Sequence, residues 1–439
     1  MFFYFIMSNS PFGKILYVLL DGVGDLPNQE LNGLTPLEAA YTPHLDSMTR
    51  MGCLGQVITV GKGVAPQSDI AVFNMLGYNF KGTRYVGRGV IESIGSNVDF
   101  HDGDLALRGN FATVDNKLNI LDRRAGRQIT NKESQMIART VNKNIRLSEK
   151  DASVKVAPTI GHRMTIRFRH KYMALSDKIT NTDPAYDRVD GIGVAKATSH
   201  KMRLRKSEAQ EKSKSAEISA KLLNEFSEGA IKLLLEHPVN KARIKAGMMP
   251  LNAILARDAG TRYPHVEPIK KKFGINLASI VDMPVEVGIS KVLGIEAIIA
   301  GDVTNYEQKA ITVIAELNNY DGLYVHIKGP DEFGHDGDAI GKKRNIEDID
   351  KQFFGTLLNM LKKNNPIKLI IIVSADHSTP CSRMAHTDDP VPVMYSGEMV
   401  DRDNTSRFTE RHAKQGSLGL MMGADVFGTA LNILQLSRY

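Results

Sequence analysis

The sequence predicts an α/β protein with a mainly parallel sheet flanked by helices and interrupted by an inserted α+β domain. Three observations carry this. Apolar runs at residues 14–20 (KILYVLL) and 368–374 (KLIIIVS) read as buried strands that stop on polar residues, as parallel strands do where their tips open into loops. Helical patterns follow such runs at both ends of the chain, the alternation expected of a parallel sheet. In the middle the grammar changes to alternating segments and one long amphipathic helix. A chain of 439 residues is also longer than one core usually supports. The predicted division is 1–96 and 284–439 for the core, with 97–283 inserted.

Taken in order, residues 14–20 end at Asp21-Gly22, and a helix is predicted to open at Thr35-Pro36, with Thr as cap, Pro in the first position and Glu38 in the first turn. Pro43 divides that helix into two. A strand is expected at 55–60, then a loop to Ser68 and a helix through 69–76. Residues 105–114 (LALRGNFATV), 117–122 (KLNILD) and 162–168 (HRMTIRF) alternate as half-buried strands do. Ile218, Leu222, Phe226, Ala230 and Leu233 form one helical stripe. Residues 321–327 (DGLYVHI) predict a strand, followed by a charged loop and a helix at 345–363.

Composition narrows the function classes. Two cysteines, Cys53 and Cys381, allow neither a disulfide framework nor a multi-thiolate zinc site, which suits a reducing cytoplasm. The apolar run at 1–6 is too short to span a bilayer and lacks the features of a signal peptide; it reads as an extension, or as the trace of an upstream start with Met7 as the first residue. A net charge of +7 and a pI of about 9.1 admit a nucleic-acid binder, but also an enzyme that handles anions. Much of the excess lies at 196–214 (KATSHKMRLRKSEAQEKSK), which reads as an exposed loop or solvated helix start. No aromatics interleave with it to stack bases, so neither nucleic acid nor membrane is the expected partner.

The chemistry sits at strand ends, where open α/β sheets place their functional crevice. Those ends carry Asp21, Asp331 with His335, and Asp376 with His377, while His386 returns nine residues after His377. Carboxylates mixed with imidazoles suit Mn²⁺, Mg²⁺ or Zn²⁺. Singly, each is also a turn or cap residue; together they predict a metal site. Ser68 (VAPQSDIAVF) stands where a loop enters a helix, beside an N-terminus able to stabilise an anion. A capping serine would look the same locally, but beside a metal its hydroxyl becomes a candidate nucleophile.

The segments DGVGD, TPLEAAYTPHLD, QSD, KGPDEFGHDGD and SADHSTP with its following AH, together with RGNFATVD, DRRAGR and HR in the middle, resemble the archaeal-type cofactor-independent phosphoglycerate mutases of the alkaline phosphatase superfamily. The resemblance spans nearly the whole chain. It implies an alkaline-phosphatase-like core and two divalent ions (Mn, Mg, Co or Zn). One would be held by Asp331, His335 and His386, the other by Asp21, Ser68, Asp376 and His377. It implies that Ser68 becomes phosphoserine, and that 3-phosphoglycerate and 2-phosphoglycerate are interconverted without 2,3-bisphosphoglycerate. The insert would bind the substrate, with Arg123, Arg124, His162, Arg163 and Arg257 as candidates, since arginine suits carboxylate and phosphate, and Asn252 and Lys291 as weaker ones. Another phosphatase, phosphodiesterase or phosphomutase of the superfamily would keep the same metals and serine.

Overall fold

Burial on both faces sets the centre of the fold. The strands Lys14–Leu20 and Gly322–Ile327 are buried along their whole length, and Leu369–Ala375 at all but its first residue. Such strands need helices above and below them, which is the condition of a parallel sheet. Leu20 lies opposite Ile327 on one side and Ala375 on the other, so the three strands end level. The structure, a computed structural model, describes residues 13–79, 85–189, 192–195, 202–363 and 368–436. The extension expected at 1–6, Met7 and the first part of the basic stretch, 196–201, lie outside the described residues.

The fold is α/β. Its large sheet runs in the order Glu296–Ile298, Leu277–Ile280, Gly322–Ile327, Lys14–Leu20, Leu369–Ala375, Val391–Ser396, Gly52–Ile58, Gly419–Met422. Val391–Ser396 is antiparallel to both neighbours, and the other pairings are parallel.

Contacts divide the chain into two compact units. The first is Met1–Phe80, Glu267–Asp282 and Leu293–Tyr439; the second is Lys81–Val266 with Met283–Val292. These boundaries depart from an insert at 97–283 at both ends. The helix Arg88–Gly95 packs on the second unit's strand Leu105–Val114, with Val90 against Phe100 and Ala106. Conversely, Leu277–Ile280 pairs with Gly322–Ile327 and so joins the first unit's sheet.

The second unit is built on an antiparallel sheet with helices on both faces. Leu105–Val114 pairs with Ile120–Asp122, Arg163–His170 and Ala253–Gly260, and Ala152–Pro158 pairs with Arg163–His170. Leu107, Phe111, Ile166 and Phe168 point into a core completed by Ile137 and Val141 of Asn131–Asn144 and by Leu222, Phe226 and Ala230 of Lys214–Leu235. Ile218 and Leu233 pack against that core while partly buried. Arg108 and Asn110 alternate to the opposite face of their strand.

Local signals account for several boundaries. Thr35 caps Pro36–Ala39 in a capping box with Glu38, and Pro43 opens the next helix, Pro43–Thr49. Two expectations need correction. The glycine- and proline-rich segment after Gly322–Ile327 is a helix, Pro330–Asp336, because Pro330 takes the first position, where a missing N–H costs nothing. The helix expected at 345–363 begins earlier, as Ala339–Ile349, and continues through a π-turn, Asp350–Phe354, into Gly355–Lys363.

One buried ion pair ties this framework together. Lys342, fully buried, donates to Asp25 Oδ2 at 2.8 Å, to the Gly24 carbonyl at 3.1 Å and to the Thr379 carbonyl at 3.0 Å. Asp25 in turn accepts from the N–H of Cys381. Replacing Lys342 by Met leaves Asp25 buried without its counter-ion. Lys342→Met is expected to lower stability by roughly 3–5 kcal/mol, read as a shift of the urea midpoint; a change under about 1 kcal/mol would show that the pair does not hold the loops.

Candidate functional site

The level ends of three strands place Asp21, Lys328 and Asp376 side by side, each directly after its strand. Lys328 Nζ lies 2.9 Å from Asp21 Oδ2. Gly22 N–H donates to Asp376 Oδ1 at 3.0 Å, as does the N–H of His377, so one carboxylate oxygen fixes two loops. Asp331 and His335 occupy positions i and i+4 of Pro330–Asp336 and therefore share a face, 3.6 Å apart. His386 Nε2 lies 3.3 Å from Asp331 Oδ1, and its ring stacks on that of His377 with centroids 3.7 Å apart.

Ser68 opens the helix Ser68–Met75 as its first residue, with Gln67 in the capping position, so it is not itself the cap. Its Oγ faces His377 Nε2 at 3.3 Å. The structure thus brings together Asp21, Ser68, Asp331, His335, Asp376, His377 and His386, from both ends of the sequence.

Hydrogen bonds decide which imidazole atoms are available. His335 Nδ1 donates to the Met384 carbonyl at 3.1 Å, and His386 Nδ1 donates to the Pro66 carbonyl at 2.7 Å. Each ring then presents Nε2 to the interior, and the two Nε2 atoms stand 3.2 Å apart. Two lone pairs facing each other at that distance repel unless a proton or a metal ion lies with them. Asp21 Oδ1 and Asp376 Oδ2 are buried without a hydrogen-bond donor. These donors fit a divalent cation: mixed carboxylate oxygen and imidazole nitrogen, orphaned and convergent. Ligand atoms of Asp331, His377 and His386 lie within 4.8 Å of one another, as do those of Asp21, Asp376 and His377. His377 thus belongs to both groups, while His335 reaches the first through Asp331 and His386.

The charges are strongly coupled. Burial pushes the Asp21 carboxyl up to about 7, opposed by Lys328 and reinforced by Asp376 and Asp331. Burial would raise Asp331 and Asp376 too, but the imidazoles of His386, His335 and His377 hold the first well below the carboxylate range. His377 and His326, with Lys328, do the same for the second. Burial pushes His377 down to about 3 despite Asp376, whereas His386, which burial would lower, is raised to about 9 by its bond to Asp331.

The second unit holds a cationic cluster. Asp183, fully buried, pairs with Arg123 at 2.6 Å and Arg257 at 3.0 Å, and both guanidinium groups lie over the Tyr186 ring. Arg108 and Arg88 pair with Glu92 at 3.2 and 3.0 Å. Burial, with Arg163, Arg108, Arg257 and Arg127 nearby, pushes His162 down to about 3, so it is neutral at pH 7. Arg123, His162, Arg163 and Arg257 therefore share one electrostatic neighbourhood. The other expected residues make local bonds. Asn252 closes two 2.8 Å hydrogen bonds with the backbone of Val114, and Lys291 holds the Ile94 carbonyl and Asn97. Arg124 gives its backbone N–H to Asp122.

Sequence reasoning missed Lys328, His326, Lys342 and Thr379 at the first site, and Arg108, Glu92, Asp183 and Tyr186 at the second. Lys328 had a signal: it immediately follows a strand whose neighbours end in Asp21 and Asp376. The others depend on packing that residue spacing does not encode.

Comparison with known proteins matches the chain to one family. Residues 49–240 match the family described as 2,3-bisphosphoglycerate-independent phosphoglycerate mutase. The chain is 41% identical over 418 residues to the 2,3-bisphosphoglycerate-independent phosphoglycerate mutase of Aeropyrum pernix, covering 93% of this chain and 96% of that one. A second relative, 2,3-bisphosphoglycerate-independent phosphoglycerate mutase 1 of Archaeoglobus fulgidus, is 36% identical over 435 residues, covering 97% and 98%. Among solved structures, a protein of Pyrococcus horikoshii has a TM-score of 0.75 at 28% identity, over 97% of this chain and 98% of that one. The cofactor-independent phosphoglycerate mutase of Thermoplasma acidophilum has a TM-score of 0.59 at 28% identity, over 96% and 100%.

If the facing imidazoles and orphaned carboxylates bind a cation, Mn²⁺ added to chelator-treated protein stabilises the folded state. The expected gain is about 2.7 kcal/mol for each independent site at a free Mn²⁺ concentration one hundred times Kd. It is read as a rise in Tm that chelation reverses and that His386→Gln reduces. A Tm indifferent to Mn²⁺ would count against the site.

Proposed function

The chain belongs to the 2,3-bisphosphoglycerate-independent phosphoglycerate mutase family, and we propose that it interconverts 3-phosphoglycerate and 2-phosphoglycerate through a phosphoserine at Ser68. The observation that carries this reading is Ser68 Oγ set at a helix N-terminus, 3.3 Å from His377 Nε2 and beside two donor groups suited to divalent cations. The enzyme is an isomerase on this reading and needs no 2,3-bisphosphoglycerate. It serves glycolysis and gluconeogenesis in the cytoplasm. Among the described residues no helix is long and apolar enough to cross a membrane.

Asp331, His335 and His386 would hold one ion, and Asp21, Ser68, Asp376 and His377 the other, with His377 near enough to serve both. Bound there, divalent ions supply Lewis acidity, lowering the pKa of a hydroxyl and neutralising charge on a phosphoryl group. The chain's own residues do the rest. Ser68 Oγ forms a bond to phosphorus as the bond from phosphorus to the glycerate C3 oxygen breaks, and the serine proton ends on that departing oxygen. The glycerate 2-hydroxyl oxygen then bonds to phosphorus as the bond from phosphorus to Ser68 Oγ breaks, and the proton that hydroxyl loses returns to Ser68 Oγ. The first N–H groups of Ser68–Met75 stabilise the transferring anion, and Lys328 beside Asp21 adds a positive charge at the strand ends. The second unit binds the glycerate carboxylate, with Arg123, Arg163 and Arg257 as its cations and neutral His162 as a hydrogen-bonding partner.

Assay by enolase coupling on Mn²⁺-loaded protein, without added 2,3-bisphosphoglycerate, should show conversion of 3-phosphoglycerate. Ser68→Ala should lower it by on the order of a thousandfold or more while leaving the unfolding midpoint nearly unchanged. Near-normal turnover in that variant would remove the phosphoserine mechanism. Release of inorganic phosphate with no 2-phosphoglycerate would instead identify a phosphatase.

A further inference from the structure

Thr379 carries no charge and is not among the proposed ligands, yet three ligand-bearing segments, two loops and the helix Pro330–Asp336, meet on it. It is fully buried. Its N–H donates to the Gly24 carbonyl at 3.0 Å, joining the loop that begins at Asp21 to the loop that begins at Asp376. Its carbonyl accepts from Lys342 at 3.0 Å. Gly334, one residue before His335, packs so closely that a Cβ there would lie 2.3 Å from the Thr379 carbonyl and 2.8 Å from its Cγ2. At Gly22, whose φ of +61° already favours glycine, a Cβ would meet Thr379 Oγ1 at 2.7 Å and Asp331 Oδ1 at 2.8 Å.

The hydroxyl lies between the two candidate cation groups. Thr379 Oγ1 is 2.7 Å from Asp331 Oδ1 and 3.0 Å from His377 Nδ1. A hydroxyl has one proton to give, and an ionised carboxylate can only accept. The Thr379 proton therefore points to Asp331, and His377 Nδ1 must donate to Thr379. The His377 tautomer follows: its proton is on Nδ1, and the Nε2 lone pair faces Ser68, Asp376 and Asp21.

We infer that Thr379 is the positioning residue that couples the two cation groups, its hydroxyl setting the His377 tautomer in one and the Asp331 orientation in the other. Residues that orient ligands in this way typically change metal affinity by about tenfold to hundredfold when removed. Here one side chain acts on both groups, so its loss weakens both binding steps together. The inference rests on the cation-binding reading above.

The test uses the full chain freed of metal, titrated with Mn²⁺ by calorimetry, with ¹⁵N NMR of the histidine rings in the metal-free protein. Wild type is expected to bind two ions, with His377 protonated on Nδ1. Thr379→Val, which keeps the shape and removes the hydroxyl, should weaken both steps by about tenfold to hundredfold. Thr379→Ser, which keeps the hydroxyl, should stay within about threefold of wild type on both. Wild-type affinity in Thr379→Val, loss confined to one step, or equal loss in Thr379→Ser would each overturn the inference. If Thr379→Val does not fold, the wild-type NMR still decides, because a His377 proton found on Nε2 overturns it. Wild type that binds no Mn²⁺ removes the cation reading and this inference together, whereas normal binding by Thr379→Val removes this inference alone.

Discussion

Asp21, Asp331 and Asp376 occupy one small buried region, and the rest of the first unit is arranged around that constraint. Two like charges 4 Å apart repel by about 4 kcal/mol at an effective dielectric of 20. Left alone, the loops that carry them would separate. Lys328 beside Asp21 relieves part of the repulsion, and the imidazoles of His326 and His335 stand 3.5 Å from Asp376 and 3.6 Å from Asp331. Backbone geometry supplies the rest: Asp376 Oδ1 is shared by two N–H groups, and Thr379 pins Asp331. The carboxylates are held in place by bonds other than their own attraction to a cation, so the donor set exists before any ligand arrives. That is the meaning of preorganisation in chemical terms, and it requires level strand ends.

Much of this was legible in the sequence, because strand ends announce themselves. An apolar run that stops on Asp marks both a strand and the position of a side chain at its tip, which is how Asp21 and Asp376 were found. The capping box of Thr35 and Glu38 is equally local and appears as read. The helix Pro330–Asp336 was not legible: its glycines and its proline argued for a loop, yet proline in the first helical position is neutral. The i, i+4 spacing of Asp331 and His335 was the better signal. Lys342 and Thr379 were beyond reach for another reason. Lysine at 342 reads as a solvated face, and its burial follows only once the 21–25 and 376–381 loops are in place.

The second unit shows the same division between pattern and packing. Alternation along 105–114 correctly gave a strand, but which face would hold arginine depended on the helices covering the other. The formal charge of +7 suggested anion handling without saying where. The structure gathers Arg163, Arg108, Arg257 and Arg127 near His162, whose protonation is suppressed first by burial and then by these charges. Like charges so gathered need counter-ions, and Glu92, Asp183 and Asp258 provide them. Asn252 and Lys291 make more local bonds, the first with the backbone of Val114 and the second with the Ile94 carbonyl and the Asn97 side chain.

The ion pair of Lys342 and Asp25 is instructive because stability alone does not explain it. A buried pair exchanged for apolar groups of similar volume is often neutral or stabilising by about 1–4 kcal/mol, so an apolar pair would serve if filling space were the only task. It would, however, leave the Thr379 carbonyl without its side-chain donor and the Gly24 carbonyl with the Thr379 N–H in place of two donors. Those carbonyls belong to the loops that carry Asp21 and His377. An ammonium has three protons, and here one goes to a carboxylate and two go to these loops. The acidic pair in DGVGD thus divides its labour: Asp21 faces the site, while Asp25 holds the cation that fixes the loop beneath it.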